Sequence, residues 1–372
     1  MGAGSRIRSV AGAISETLGE GARFLARAVG SAAGLGLHAR PLSFARDRVV
    51  LLYFADVERD TLVPGDRHLR RAARRLKRAL RDGQKVSGFG VAVDRLVQAL
   101  ALRGCRVVIN DRALARRNPS YPVALAGYPH VLDGWTLPNP AILGPGLLDH
   151  PRLQPALMAD PRFRWYVTTS GWTRDLFEAA WPGRTFLWFA GVDSSAWPDT
   201  SAAPKDIDLL VYEKFLWDKE ANRERLLAPI LAELQRRGLR VHHVRYGRYE
   251  HGEYQSLLSR SRGMLFLCEH ETQGMAYQEA LASGVPILAW DQGSWLDPLR
   301  LKLGDGAVPA SSVPWFSPAC GERFGDLAAF HPALETFLAN LGRYQPRAYA
   351  EETLSLSRSA DLYLERYGAL AP

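Results

Sequence analysis

The second half of the chain alternates short apolar runs with longer segments of helical periodicity, and few folds accommodate that order. The predicted strands are Ile207–Tyr212, Arg240–Val244, Met264–Cys268 and Ile287–Trp290, all but the second of them mainly apolar, with helical patterns between them at Ala221–Arg237 and Tyr254–Ser261. Strands that alternate with helices pair in parallel, because each helix carries the chain back before the next strand begins. The sequence therefore predicts a doubly wound, parallel α/β sheet.

The first half shows the same order after an N-terminal stretch of different character. Strands are predicted at Val49–Phe54, Arg106–Asn110, Val123–Ala126, Ala141–Leu143 and Trp165–Thr169, with a helix at Val91–Leu102. The proline- and tryptophan-bearing segment Phe189–Pro204 interrupts the pattern and is the predicted linker. We expect four regions: an N-terminal extension (1–46), a first domain (47–195), a second domain (196–345) and a C-terminal region (346–372). The extension carries one apolar stripe, which could form an amphipathic helix. The helix of the C-terminal region, about Ala348–Tyr367, is expected to pack back on the first domain.

The size and composition of the chain suit two domains of an intracellular protein. With 372 residues and 47% hydrophobic content, it can bury two cores of ordinary size. Its three cysteines lack the spacing of a metal site or a disulfide framework, as expected in a reducing cytoplasm. No apolar run approaches the roughly 18 residues that a membrane span needs.

The net positive charge of the chain is concentrated in one segment. Residues 67–81 contain eight Arg or Lys and no acid, which equals the formal net charge of +8 for the whole chain. Leucine and alanine recur there at helical spacing, so an amphipathic helix with a basic face is predicted. Such a face suits an anionic membrane surface, and the alternative is a solvated helix that only keeps the protein soluble. The arginines expected at the membrane are Arg70, Arg71, Arg74, Arg75 and Arg78. No recognised nucleic-acid module accompanies them, so nucleic acid is not an expected partner.

Two glutamates, Glu271 and Glu279, follow the predicted strand Met264–Cys268 and carry the strongest functional signal. Gly274 stands between them, and Ala280-Leu-Ala-Ser-Gly-Val-Pro286 leads into the next strand. Carboxylates hold hydroxyl groups, and the N–H groups at a helix start hold phosphate oxygens. The alternative is a helix that carries two acids at this spacing by chance, but the block as a whole is much harder to produce in that way. It predicts a polar site at a helix N-terminus.

This block resembles the signature of glycosyltransferase family 4, and the resemblance extends over most of residues 47–368. The family has an acid, a glycine and a second acid before Ala-Met-Ala-x-Gly-x-Pro. The resemblance implies the GT-B fold, in which two Rossmann-like domains face a central cleft. It also implies that Glu279 holds the ribose hydroxyls of a nucleotide and that Glu271 faces the donor sugar. The backbone N–H groups expected at the sugar and diphosphate are those of Gly274, Met275 and Ala276.

Two lysines, Lys214 and Lys219, follow the strand that is predicted to end at Tyr212. The family places an arginine and a lysine at this spacing, where both neutralise the leaving diphosphate. Fixed cations in a partly dry site stabilise the charge that develops there. Lys214 stands at the usual arginine position, so the charge is kept and the bidentate fork is lost. The alternative is two solvated lysines after a strand.

The candidates in the first domain are two glycines and two histidines. Ser87-Gly88-Phe89-Gly90 precedes a predicted helix, as does the family's glycine loop, so Gly88 and Gly90 are expected to let the backbone approach the donor phosphate. A turn that needs glycine for purely steric reasons is the alternative. Many family members also place a histidine after a strand of this domain, where this chain aligns a glycine. His150, and after it His130, are the candidates for that donor contact, and loop histidines without a role are the alternative.

The resemblance implies a retaining glycosyltransferase that moves a sugar from a nucleotide-diphosphate sugar to a glycan or lipid-linked acceptor. Its catalytic residues would be Glu271, Lys214, Lys219 and His150. No metal or other cofactor is expected, since the nucleotide-sugar is a substrate. The expected place of action is the cytoplasm, with peripheral binding at the inner face of the membrane as a further expectation. The alternatives are a nucleotide-sugar epimerase or sugar phosphorylase of the same fold, and a catalytically silent, membrane-associated binding protein.

Overall fold

The computed structural model describes residue 37 and residues 40–55, 88–304 and 307–372. The predicted basic helix, with Arg70, Arg71, Arg74, Arg75 and Arg78, lies outside these ranges, as does most of the predicted N-terminal extension. Tertiary contacts divide the chain into two units. Of the described residues, the first comprises those up to Val167, Trp181–Phe186 and Ala360–Pro372, and the second comprises those of Thr168–Ala180 and Leu187–Ser359.

The first sheet has six strands in the order β2-β1-β3-β4-β5-β6. They are β1 (Val49–Ala55), β2 (Arg106–Ile109), β3 (Val123–Gly127), β4 (Ala141–Gly146), β5 (Phe163–Thr168) and β6 (Thr185–Leu187). Strand β1 pairs in parallel with β2 and β3, β3 with β4, and β4 with β5. The helices of this part are α1 (Phe44–Asp47), α2 (Gly88–Leu102) and α3 (Arg112–Arg117). Strand β3 is buried along its whole length and β1 over its first five residues, and both are apolar, as expected for a parallel sheet with both faces covered.

The second sheet has five strands in the order β11-β10-β9-β7-β8. They are β7 (Ile207–Lys214), β8 (Val241–Arg245), β9 (Ser261–Cys268), β10 (Ile287–Trp290) and β11 (Gly321–Phe324), and their pairs run parallel. The helices are α4 (Gly171–Ala180), α5 (Lys219–Asn222), α6 (Ala228–Arg236), α7 (His251–Arg260), α8 (Met275–Ala282), α9 (Pro298–Leu301), α10 (Leu327–Asn340), α11 (Pro346–Thr353) and α12 (Leu356–Gly368). A π-helical turn, Arg223–Leu227, joins α5 to α6. Side chains of β7, β9 and β10 pack with those of α6 and α10 in one core.

The predicted fold class, two doubly wound Rossmann-like units, is confirmed by these two sheets. Strand β10 has the predicted bounds, whereas β6 and β11 are absent from the prediction. Strand β6 is only three residues long, and β11 reads Gly-Glu-Arg-Phe, so neither presents an apolar run. Helix α2 begins at Gly88 and not at Val91, so Gly88 and Gly90 lie in its first turn and not in a loop before it.

The predicted C-terminal helix is two helices, α11 and α12. The helix is interrupted between them at Leu354 and Ser355, where the Leu354 carbonyl accepts a hydrogen bond of 2.8 Å from the Val192 N–H. Ser355 forms an isolated parallel bridge with Val192. This contact uses backbone groups that a continuous helix would need for itself.

The last thirteen residues, Ala360–Pro372, belong to the first unit. The buried Tyr367 hydroxyl accepts from the Leu51 N–H at 2.9 Å and donates to the Pro122 carbonyl at 2.6 Å. The predicted boundaries, 195/196 and 345/346, divide the chain into continuous stretches. The two observed units are each made of more than one stretch of the chain. Within the described ranges, no helix has both the length and the apolar character needed to cross a membrane.

Candidate active site

The site predicted from the glutamates lies at the point where the second sheet changes its winding direction. From β7 the chain first adds β8 on one side and then β9, β10 and β11 on the other. Lys214 ends β7 and Cys268 ends β9, and their Cα atoms are partners across the two strands. Ligands of doubly wound sheets bind outside the carboxyl ends of the strands at such a switch point. The residues of the sequence motif therefore lie at the edge of the sheet where ligands of such folds bind, and their role in binding stays a prediction.

Lys214 and Glu271 form an ion pair at this edge, between Nζ and Oε1. The two side chains are only 15% and 12% exposed. Burial by itself lowers the pKa of a lysine, but the Glu271 carboxylate, with smaller contributions from Cys268 and Tyr246, outweighs it, and the pKa of Lys214 lies above its ordinary value. The lysine is therefore a fixed cation at neutral pH.

Two aromatic residues that were not among the predicted site residues complete the surroundings of this pair. The ring of Tyr246, in the loop after β8, has its centroid 4.5 Å from the Lys214 Nζ. Tyr246 is itself 41% exposed. The indole N–H of Trp172, at the start of α4, donates to the Glu271 carbonyl at 2.8 Å. One aromatic ring thus faces the cation, and the other fixes the backbone of its partner.

Gly274 starts helix α8 in a conformation that other residues rarely adopt. Its φ is +79°, and a Cβ atom built there would lie 2.1 Å from Cε1 of Tyr277. Tyr277 is fully buried and its hydroxyl accepts from the Trp315 N–H at 3.0 Å, so the ring has no room to move away. None of the described side chains caps this end of the helix. The first N–H groups of the helix, including those of Met275 and Ala276, carry the partial positive charge of a helix start.

Glu279 lies one turn further along α8 and is partly exposed. Burial raises the pKa of Tyr249 to about 12, and the negative charge of Glu279 adds to that shift. Glu279 is therefore coupled electrostatically to the loop that follows β8. The Tyr249 hydroxyl shares a hydrogen bond of 2.6 Å with that of Tyr212, and the Tyr254 hydroxyl donates to the Ala276 carbonyl at 2.8 Å. These tyrosines join the loop and α7 to α8.

Lys219 is the first residue of α5 and is exposed. Within the described ranges it forms no ion pair, and no contact joins it to Lys214. The loop between the two lysines is held by Glu269, a buried carboxylate that accepts from the N–H groups of Leu216 and Trp217 at 3.0 and 3.2 Å. The Asn222 side chain donates to it at 3.1 Å. Burial raises the pKa of Glu269. Glu269 was not among the residues predicted from the sequence, although an acid that directly follows an apolar strand is a recognisable signal.

The candidates of the first unit have structural contacts of their own. His150 is 1% exposed, and its Nδ1 accepts from the Arg152 N–H at 3.1 Å at the start of a short 3-10 helix, Pro151–Leu153. His130 lies in another 3-10 helix, and its ring stacks on Tyr128 with 6.2 Å between centroids. Gly88 and Gly90 lie in the first turn of α2. A donor-binding role for these residues stays a prediction. In the described ranges no three His, Cys, Asp or Glu side chains are grouped as metal ligands.

Comparisons with known proteins find similarity in structure and not in sequence. No family model and no curated protein matches the sequence. Among the similar solved structures is AviGT4, a glycosyltransferase involved in avilamycin A biosynthesis, with 14% identity and a TM-score of 0.48 over 87% of this chain and 97% of that chain. Sucrose-phosphate synthase from Thermosynechococcus elongatus shows 16% identity and a TM-score of 0.48 over 86% and 99%. The lipopolysaccharide outer core galactosyltransferase WaaB, in its apo form, shows 10% identity and a TM-score of 0.46 over 86% and 99%.

Proposed function

We propose that this protein is a retaining glycosyltransferase that takes a sugar from a nucleotide-diphosphate sugar and passes it to a glycan or lipid-linked acceptor. The observation that carries the proposal is the Lys214–Glu271 ion pair at the switch point of the second sheet, beside the uncapped start of α8. This arrangement offers a fixed cation, helix N–H groups and a carboxylate side by side. A diphosphate ester of a sugar needs these three kinds of partner.

The diphosphate would bind at the positive part of the site. Lys214 and the N–H groups of Met275 and Ala276 would bind phosphate oxygens, with Lys219 as a second cation from the exposed start of α5. An arriving phosphate competes with Glu271 for the Lys214 ammonium. The carboxylate that is displaced in this way becomes free to accept hydrogen bonds from the hydroxyls of the donor sugar. Glu279, further along the same helix, would hold the ribose.

The reaction would replace one bond to the anomeric carbon by another on the same face of the sugar. The bond from that carbon to the β-phosphate oxygen breaks, and a bond to the acceptor oxygen forms. The acceptor proton passes to the departing β-phosphate oxygen, which leaves as part of the nucleoside diphosphate. This route uses the substrate's own phosphate as the base, so Glu271 needs no role as nucleophile. Lys214 and the helix N–H groups stabilise the negative charge that develops on the leaving group.

The acceptor and the place of action are proposed from sequence alone. The basic pattern of residues 67–81 suits an anionic lipid surface, which would bring the protein to a lipid-linked acceptor at the cytoplasmic face of a membrane. The resemblance to glycosyltransferase family 4, with its two spaced glutamates, supports retention of configuration.

Incubation with a panel of nucleotide-sugars, with and without candidate acceptors, tests the proposal. A glycosyltransferase releases nucleoside diphosphate faster when its acceptor is present, and NMR of the product shows whether the anomeric configuration is retained. An epimerase converts the nucleotide-sugar without acceptor, and a phosphorylase consumes inorganic phosphate. A silent binding protein gives thermal stabilisation by the nucleotide-sugar without any product. Any of these last three patterns contradicts the proposal.

A further inference from the structure

A cluster of aromatic rings surrounds His270, the residue that precedes Glu271. The imidazole stacks on the indole of Trp217, with 4.8 Å between centroids and 27° between planes. Trp172 and Trp295 approach it edge-on, at 5.8 and 6.2 Å, and lie 5.4 Å from each other. These residues come from separate segments of the second unit, and three tryptophans around one histidine leave its ring 7% exposed.

The Nε2 atom of His270 is buried and has no hydrogen-bond partner among the residues that the structure describes. Buried polar atoms in folded proteins are nearly always bonded, because an unmade hydrogen bond costs free energy. Burial lowers the pKa of His270 to about 4, against an opposing effect of Asp297 and with a further lowering by Lys214. The ring is therefore neutral at neutral pH, and its free nitrogen suits a neutral hydroxyl group and not an anion.

The ring cluster is continuous with the proposed active site. Trp172 donates its indole N–H to the backbone carbonyl of Glu271, whose carboxylate pairs with Lys214. Trp172 and Trp217 are partly exposed, so the rings also present surface to solvent. Aromatic side chains with a few placed polar groups are the usual lining of small-molecule sites. A sugar ring has apolar C–H faces for the indoles and hydroxyls for the nitrogen.

We propose that His270, with Trp172 and Trp217, binds the sugar ring of the donor and selects a neutral hexose. The Nε2 atom bonds one sugar hydroxyl, and the indole surfaces contact the C–H face. A hexuronic acid is disfavoured, because the neutral imidazole offers its carboxylate no charge and Glu271 nearby repels it. This inference rests on the proposed function and adds the class of sugar to it.

The variant His270→Phe tests the inference, since it keeps an aromatic ring and removes the nitrogen. The matched control is His251→Phe, an exposed histidine of the same unit that packs edge-on against Trp197 at 4.8 Å. Calorimetry would compare UDP, GDP and ADP with their glucose esters. We expect His270→Phe to bind the nucleoside diphosphate as the wild type does and to lose roughly 3- to 10-fold in affinity for its glucose ester, the effect of one neutral hydrogen bond. The control should change neither affinity.

The outcomes separate this inference from the proposed function. A wild type that binds none of the three nucleotides or their esters overturns both. Binding of the glucose ester that is equal in the wild type and in His270→Phe overturns the inference alone, and a water molecule is then the partner of Nε2. If the variant does not fold, the wild type supplies a second test with glucose and glucuronic acid esters of the same nucleotide. Tighter binding of the glucose ester, by about tenfold, supports the inference, and equal or tighter binding of the glucuronic acid ester overturns it.

Discussion

The aromatic ring of Tyr246 lies over the ammonium of Lys214, with 4.5 Å between the ring centroid and Nζ. A ring face in this position attracts a cation by about 0.5–1 kcal/mol at a partly exposed site. It also restricts the flexible lysine side chain to one side of the site. Tyr246 is thus a positioning residue for the cation that would meet the diphosphate.

We expect Tyr246→Leu to lower kcat/KM for the nucleotide-sugar by roughly 2- to 5-fold, the equivalent of the lost cation–π attraction. Tyr246→Phe keeps the ring face and should retain nearly full activity. Steady-state kinetics with the two variants provide the measurement. If Tyr246→Phe is as impaired as Tyr246→Leu, the hydroxyl and not the ring is what matters.

A double-mutant cycle should show that Lys214 and Glu271 depend on each other. Lys214→Met leaves a mostly buried carboxylate without its ion-pair partner, which we expect to cost on the order of 1–3 kcal/mol in the free energy of unfolding. The double variant Lys214→Met/Glu271→Gln should recover part of that loss, because no charge is then left unpaired. Urea denaturation measures both. The control is the exposed pair Arg260–Asp206, with side chains 49% and 57% exposed, where Arg260→Met should leave the free energy of unfolding nearly unchanged. Equal losses in the single and double variants at the site would contradict the coupling.

Gly274→Ala should destabilise the protein more than the same change at Gly293. Both glycines have a positive φ, +79° and +86°, so alanine is strained at each by about 1–2 kcal/mol. Only at Gly274 does the added Cβ also collide with a buried ring, that of Tyr277, whereas at Gly293 nothing lies within 4 Å. Overpacking of this kind adds roughly 1–3 kcal/mol. Thermal or urea denaturation of the two variants gives the comparison, and similar losses would show that Tyr277 yields without cost.

His270 should make the wild type less stable in acid. Its pKa is about 4 in the folded protein and about 6.5 in the unfolded chain, so between these values only the unfolded chain takes up the proton. Stability therefore falls as the pH falls from about 6.5 to about 4, by up to about 3 kcal/mol from this group, and changes no further below that. His270→Phe lacks this dependence. Urea denaturation of both proteins at pH 7 and pH 4.5 should show the gap between them shift in favour of the variant, and a gap that does not change with pH would refute the prediction.

Glu279→Ala should weaken binding of the nucleotide-sugar and leave the fold intact. The side chain is partly exposed on α8, so its removal opens no core cavity, while a carboxylate that accepts from ribose hydroxyls contributes about 1.5–3 kcal/mol. We expect roughly a 10- to 150-fold rise in Kd by calorimetry. Glu352→Ala, an exposed glutamate of α11, is the matched control and should bind as the wild type does. Unchanged donor affinity in Glu279→Ala would remove the ribose role from this residue.

The strands of both sheets were largely predictable because a parallel strand buried on both faces is an apolar run in the sequence. Strand β10 illustrates this, since its predicted and observed bounds coincide. Strand β11 could not be predicted in that way, because two of its four residues are charged. The interruption between α11 and α12 depends on the bridge from Ser355 to Val192. The local periodicity of the helix carries no information about a contact with such a distant residue.

The sequence predicted which motifs of the candidate site occur along the chain, but not which of their residues contact one another in the folded protein. The motif around Glu271 and the spacing of Lys214 both pointed to the second domain, and the structure joins them because β7 and β9 are neighbours in the sheet. The order of the strands in the sheet is a property of the whole topology and is not visible in any one segment. The contacts of Tyr246 and Trp172 follow from the same order, so no pattern in their own segments indicated them. His150 shows the reverse case, a histidine at a plausible position whose ring is buried and accepts from a neighbouring backbone N–H.

The two hydrogen bonds of the Tyr367 hydroxyl, to Leu51 and Pro122, have a consequence for biosynthesis. The two neighbouring strands that they join, β1 and the start of β3, are translated early, and the tyrosine comes from the last segment described. During synthesis on the ribosome, most of the second unit must therefore be translated before the core of the first unit can be completed. A nascent chain stopped near residue 190 would expose the apolar surface that Tyr363 and Tyr367 cover in the finished protein, and would be a substrate for chaperones.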